Sequence, residues 1–250
     1  AFRRPVKTDE VERFLKIYDR SEKAGDRFEN RMRVALSAVL VSPHFLFRIE
    51  LDPANVKAGD SYVINDFNLA SRLSYFLWSS MPDGELMALA QKGQLRTNLD
   101  AQTRRMLKDP KSAALVENFA GQWLTIRNLH TATPDAQKFP NFDDELRNAM
   151  YKETELFFNA IVREDRSILG LLDGDFTFVN ERLAKHYGIT AIKGKAFQRV
   201  TLPETRRGVL THASILTLTS NPTRTSPVKR GKWVMEQILG TPPPPAPADG

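Results

Sequence analysis

FDDELRNAMYKETELFFNAIVR, residues 142–163, keeps one helical period from end to end. Leu146, Ala149, Met150, Leu156, Phe157, Ala160 and Ile161 recur three or four residues apart and form one apolar stripe, the pattern of a helix with one face in a core. The same period extends outward on both sides. Upstream, Thr8 reads as the cap of a helix carrying Val11, Phe14, Leu15 and Tyr18, closed by Gly25. A second helix from about Arg27 carries Phe28, Met32, Ala35, Leu36, Val39 and Leu40 on one face, and Pro43 breaks or kinks it. Residues 51–60 read as a polar loop. Asp66 then reads as the cap of a helix with Leu69, Ala70, Leu73, Phe76 and Leu77, Pro82-Asp83 starts a short one, and 111–128 reads as a long one with Val116, Phe119, Ala120, Trp123 and Leu124. Trp78, Trp123 and Trp233 all fall on such stripes and read as core.

Strand signals are few. Tyr62–Ile64, Phe176–Phe178 after the Asp173-Gly-Asp turn, and Phe197–Leu202 are short, and the last could pair with either of the others. Asn180–Tyr187 reads as helix stopped by Gly188. The turn at Asp173 misses calcium-loop spacing, and turn chemistry accounts for it. Eight or more helices, tiny strands and no repeat make the expected class mainly α, a multi-helix domain with a few very short strands. The expected modules are an N-terminal helical one over 1–60, a central one over 61–195, and a basic C-terminal one over 196–240 on the same core. Thr241–Gly250, with its run of prolines, reads as a stiff polyproline-like spacer. The opening Ala-Phe-Arg-Arg-Pro is no signal peptide and suggests a piece of something larger.

A chain of 250 residues buries about 70 to 75 % of its unfolded surface, so its stability does not need staples. With no cysteine it has no disulfide, thiolate metal site, cysteine nucleophile or covalent haem attachment of its own. No apolar run approaches the ~20 residues of a membrane span. Residues 195–250 hold eight basic and three acidic side chains, +5 of the chain's +6. Nucleic acid is a poor fit for that charge, because the flanks lack interleaved aromatics and carry no recognised motif.

The charge concentrates in Asn221-Pro-Thr-Arg-Thr-Ser-Pro-Val-Lys-Arg-Gly-Lys232, which has four cations and no acid. Ser226-Pro227 reads as a helix start, with Gly240 as its stop after Leu239. Cations in the first turns face the positive end of the helix dipole, a cost of about 0.3 to 1 kcal/mol each, so a negative group should oppose them. Asn221, Thr223, Arg224, Ser226, Lys229 and Arg230 are therefore the candidate anion-binding residues. The plainer alternative is an internal network with Asp143, Asp144 or Asp173.

Glu153 falls in the middle of the apolar stripe, where a carboxylate is costly unless paired. It reads as a structural pair with an arginine such as Arg72, or else as a catalytic acid or base or a metal ligand. No Glu-x-x-His or His-Glu-x-x-His accompanies it, so no metal site is expected. His44, His130, His186 and His212 stand far apart; His212 is the first to test for contact with a haem or metal. No Gly-x-Ser-x-Gly and no Gly-rich phosphate loop occurs.

Several segments look familiar together. Phe2-Arg-Arg-Pro5, Leu40-Val-Ser-Pro-His-Phe-Leu-Phe-Arg48, Leu69–Trp78, Glu117-Asn-Phe-Ala-Gly-Gln-Trp123, Asn180–Gly188 and Thr219–Trp233 span nearly the whole chain. They resemble consecutive planctomycete-type domains of unknown function found in large exported proteins. The resemblance implies a cytochrome-c-like domain upstream, a Cys-x-x-Cys-His haem motif downstream of the spacer, and an extracytoplasmic location. Haem c would then belong to adjoining regions and not to this segment. The implied role is a haem-free binding or scaffold region of an electron-transfer protein. Its partners would be neighbouring haem domains, an acidic partner or a polysaccharide. The alternatives are part of an oxidoreductase acting on polysaccharide or a related polymer, with Glu153 catalytic, and a purely structural module of an exported assembly.

Overall fold

Polar residues ahead of apolar runs start several of the helices seen in the computed structural model, which describes residues 2–57 and 59–244. The chain divides into two compact units, Ala1–Met106 and Leu107–Gly250, a cut inside the span expected to form the central module. Of the expected spacer, residues 245–250 lie outside the described residues.

In the first unit α1 (Thr8–Lys23) and α2 (Phe28–Leu40) pack against each other, followed by α3 (Pro43–Leu46), α4 (Asp66–Trp78), α5 (Gly84–Gln91) and α6 (Leu99–Lys108), whose last two residues fall in the second unit. Thr8 does not cap α1. Its first turn is held instead by the Glu10 carboxylate, which accepts from Lys7 N–H at 2.9 Å and pairs with Arg4 at 2.6 Å. Asp66 does not cap α4 either. Asn65 does so by accepting from Asn68 N–H at 2.9 Å, and Asp66 turns away to accept from Leu95 N–H at 2.8 Å. Tyr62–Ile64 forms no strand. Helix α2 forms as expected but its apolar face is not a core face: Phe28, Leu36 and Leu40 are all more than half exposed. Leu77, Trp78, Leu86, Leu95 and Met106 are buried, and Trp78 Nε1 donates to the Met106 carbonyl at 2.9 Å.

The second unit is built around α8 (Asp144–Arg163). Asp143 starts it by accepting from Leu146 N–H at 2.7 Å. Ahead of it, the expected long helix over 111–128 stops at Trp123. A 3₁₀ turn at Pro110–Ser112 leads through a π-helical stretch, Leu115–Ala120, into α7 (Gly121–Trp123); Thr125 then takes φ 56° and starts a 3₁₀ segment, Ile126–Thr131. A left-handed β-branched residue cannot continue a helix, which is why the period read from sequence overran.

Beyond α8 come α9 (Gly170–Asp173), β1 (Phe176–Val179), α10 (Glu181–Tyr187), β2 (Gln198–Thr201), α11 (Ala213–Leu218) and α12 (Pro227–Trp233), which runs on as a π-helical stretch, Val234–Ile238. β2 pairs antiparallel with β1, Phe176 opposite Thr201, which decides between the two partners open to it. A second two-stranded pair, β3 (Ser220–Asn221) with β4 (Arg224–Thr225), folds the centre of the basic tract into a hairpin that the sequence did not announce. One face of α8 buries Phe157, Ala160 and Ile161 with Ile126, Phe176, Val209 and Trp233; its first half buries Leu146 and Met150 with Leu129, Val179, Leu183 and Ala213. Each such side chain contributes about 1.5 to 3 kcal/mol.

Candidate functional site

The amino-terminal half of α8, α10, α11, the β3–β4 hairpin and the segment before α8 line an open cavity of about 430 Å³ in the second unit. The hairpin and that segment are tied by the Asp135 amide, which donates to the Pro222 carbonyl at 2.9 Å. Phe139, Phe142, Leu146, Met150 and Leu216 give the cavity an apolar body, and Lys138, Arg206 and Arg224 give it three cations; no Asp or Glu is among its lining residues. His186 also lines it. Desolvation, with Arg182 and Arg206 nearby, lowers its pKa, so it is neutral at pH 7.

The basic tract reaches this cavity only in part. Asn221 and Arg224 line it, while Thr223 and Lys229 are exposed outside it. Ser226 caps α12 by accepting from Lys229 N–H at 3.3 Å, and Arg230 donates to Thr219 Oγ1 at 3.3 Å. Lys232 meets Glu236 one turn on, at 3.6 Å. Among the described residues none of the three acids named for an internal network pairs with the tract: Asp143 pairs with Arg182 at 2.9 Å, Asp144 pairs with Arg147, and Asp173 makes no ion pair with it. Sequence reasoning missed Arg206, Lys138 and Tyr187. Arg206 lies in the basic C-terminal part of the chain, ahead of the tract, and nothing local marks Lys138.

Behind the cavity wall lies a buried polar cluster. Glu153 is 1 % exposed. Its Oε2 accepts from Tyr187 Oη at 2.5 Å and its Oε1 from Thr177 Oγ1 at 2.8 Å, while Tyr187 Oη accepts from the Ala213 amide at 2.8 Å. Arg72, the partner expected for it, instead pairs with Glu50 at 2.5 Å in the first unit. With hydroxyls in place of a salt-bridge partner, burial pushes the Glu153 carboxyl up to about 7; the two hydroxyls and the more distant charge of Arg206 pull the other way. Arg206 lies 3.9 Å above the Tyr187 ring, so it faces the cavity on one side and this carboxyl on the other.

His212 sits beside the same cluster and does not line the cavity. Its Nδ1 is 3.0 Å from Thr154 Oγ1, which is 2.7 Å from Ser214 Oγ, and its ring meets Phe157 edge-on. Its Nε2 is buried without a hydrogen-bond partner among the described residues. Burial, then Arg206, lowers its pKa to about 3, so it is a neutral core histidine at pH 7. Among the described residues no three His, Asp or Glu side chains gather as a metal would require, and no helix is long and apolar enough to cross a membrane.

Comparison with curated proteins and with solved structures finds no match. Three families do match consecutive parts of the chain. Residues 1–50 match the protein of unknown function DUF1595, residues 64–189 the protein of unknown function DUF1592, and residues 206–250 the protein of unknown function DUF1588. The cavity is lined by residues of the second and third of these matches. The chain belongs to the DUF1592 family and carries it within the planctomycete cytochrome-c-associated tandem array of DUF1595, DUF1592 and DUF1588.

Proposed function

We propose that the second unit is a binding module for carboxylates carried on an apolar or ring-shaped body, within an extracytoplasmic c-type-cytochrome-like protein. One observation carries this: an apolar cavity of about 430 Å³ with three cations and no acidic residue in its lining. Cations set beside apolar surface without a carboxylate partner attract an anion, Arg206 half-buried and Lys138 and Arg224 exposed, and the apolar body adds area burial. An acidic polysaccharide and a carboxylate-bearing group on a neighbouring haem domain both present this chemistry. Haem c itself would sit on adjoining regions, since this chain has no cysteine for thioether attachment.

The enzymatic alternative has less support. Glu153 is sealed behind Tyr187, outside the cavity lining, with both oxygens engaged. Calorimetric titration with 2-naphthoate, its uncharged analogue 2-naphthamide and digalacturonate tests the reading. Naphthoate should bind, the amide should bind at least about tenfold more weakly, and Arg206→Gln and Arg224→Gln should each weaken naphthoate about tenfold. Tighter digalacturonate binding would place the acidic sugar first. Equal affinity for acid and amide, or no binding of either acid, would overturn the proposal.

A further inference from the structure

We infer that anion binding in the cavity is coupled to proton uptake at Glu153, with Arg206 as the group the two share. This rests on the anion-binding reading above.

The coupling follows from position. Arg206 lines the cavity, lies 3.9 Å above the Tyr187 ring, and makes one long hydrogen bond, to the Thr211 carbonyl at 3.5 Å. It makes no ion pair among the described residues. At the hydroxyl end of the same ring, 2.5 Å from Tyr187 Oη, is a carboxyl with no salt-bridge partner. The groups that face Glu153 are Tyr187 from α10, Thr177 from β1, the Ala213 amide acting through Tyr187, the neutral His212 beside the cluster, and Arg206. The Tyr187 and Thr177 hydroxyls do most to favour the ionised carboxylate, and Arg206, the only cation in this set, adds to them.

An anion in the cavity neutralises that charge. The carboxylate loses that part of its support and its proton affinity rises, and by reciprocity the protonated carboxyl leaves Arg206 free for the anion. With the Glu153 carboxyl titrating near neutrality, the exchange falls within an accessible pH range. No bond other than O–H is made: the proton comes from solvent to one Glu153 oxygen and returns when the anion leaves.

The other titratable group at the cavity is His186, whose pKa is lowered from 6.5. Above pH 7 it is neutral and contributes little.

The test is calorimetric titration of the full chain with 2-naphthoate at pH 7.0, 7.5 and 8.0, in phosphate and in Tris, whose ionisation heats differ. Expected are net uptake of a fraction of a proton per bound anion and a dissociation constant that rises about fivefold as pH increases. Both should vanish in Glu153→Gln and persist in His186→Asn. Binding that is independent of pH and buffer would overturn the coupling while leaving the anion site standing. No binding at any pH would remove the site and the coupling together. Loss of uptake in His186→Asn would assign the proton to His186 and also overturn the inference. Should Glu153→Gln not fold, the wild-type proton count together with His186→Asn still decides.

Discussion

Glu153 and His212 are buried titratable groups whose protonation shifts stability in opposite directions. The Glu153 carboxyl holds its proton up to about 7 in the folded chain against an ordinary value of 4.5, so the folded state binds more protons between those values. Stability therefore falls as pH rises through that window, by something on the order of 3 kcal/mol. His212 is the reverse. Its folded value of about 3 lies below its ordinary 6.5, so its contribution is lost as pH falls from 6.5 towards 3. Between 4.5 and 6.5 the two oppose each other. Glu153→Gln should accordingly raise the melting temperature relative to wild type more at pH 8 than at pH 5. A difference that does not change with pH would show that the carboxyl is not the group responsible. Gly208 carries a backbone constraint instead. It takes φ +68°, and a Cβ there would stand 2.0 Å from the Leu172 carbonyl oxygen. Gly208→Ala should destabilise by more than about 3 kcal/mol in chemical denaturation, and it should disturb Arg206 two residues away.

The elements around the cavity are short and lean on one another. Trp123 Nε1 donates to the Gln237 carbonyl at 2.5 Å, and Trp233 Nε1 donates to Thr125 Oγ1 at 3.0 Å, so the end of α7 and the turn after it are bonded in both directions to α12 and its π-helical continuation. Trp233→Phe loses both the donor and part of a buried indole; denaturant titration should show a loss of about 2 kcal/mol or more. Ser226→Ala should cost about 1 kcal/mol through the lost cap of α12 and leave naphthoate affinity unchanged, since Ser226 does not line the cavity. How far the elements could be read depended on local period. The α8 stripe, the helix beginning at about Asn180, the Gly188 stop and the Ser226-Pro227 start follow from near-neighbour chemistry and were legible, while the capping role of Asn180 itself was not. The overrun past Trp123, the missing strand at Tyr62 and the β3–β4 hairpin were not, because a single left-handed Thr125 or a two-residue ladder leaves no periodic trace.

Across the second unit, the basic surplus at the end of the chain is divided between surface and cavity. Arg224 and Asn221 line the cavity with Lys138 and Arg206, whereas Lys229 lies outside it and Lys232 meets Glu236. Raising ionic strength from about 0.05 to 0.5 M should therefore weaken naphthoate about tenfold, because Lys138 and Arg224 are exposed and only Arg206 is half-buried; an affinity that does not change with salt would show that these cations do not hold the anion. The amino-acid sequence by itself determined the helical class, most helix starts and stops, the concentration of charge after residue 195, the absence of thiol chemistry and the family resemblance. All of these depend on residues close together in the chain. The tertiary structure alone decided that the cavity's cations come from three separate segments, that Glu153 meets Tyr187 and Thr177 in place of an arginine, and that α2 turns its apolar face outward. Side-chain partnership across tens of residues is set by how helices pack, and packing carries no local signature.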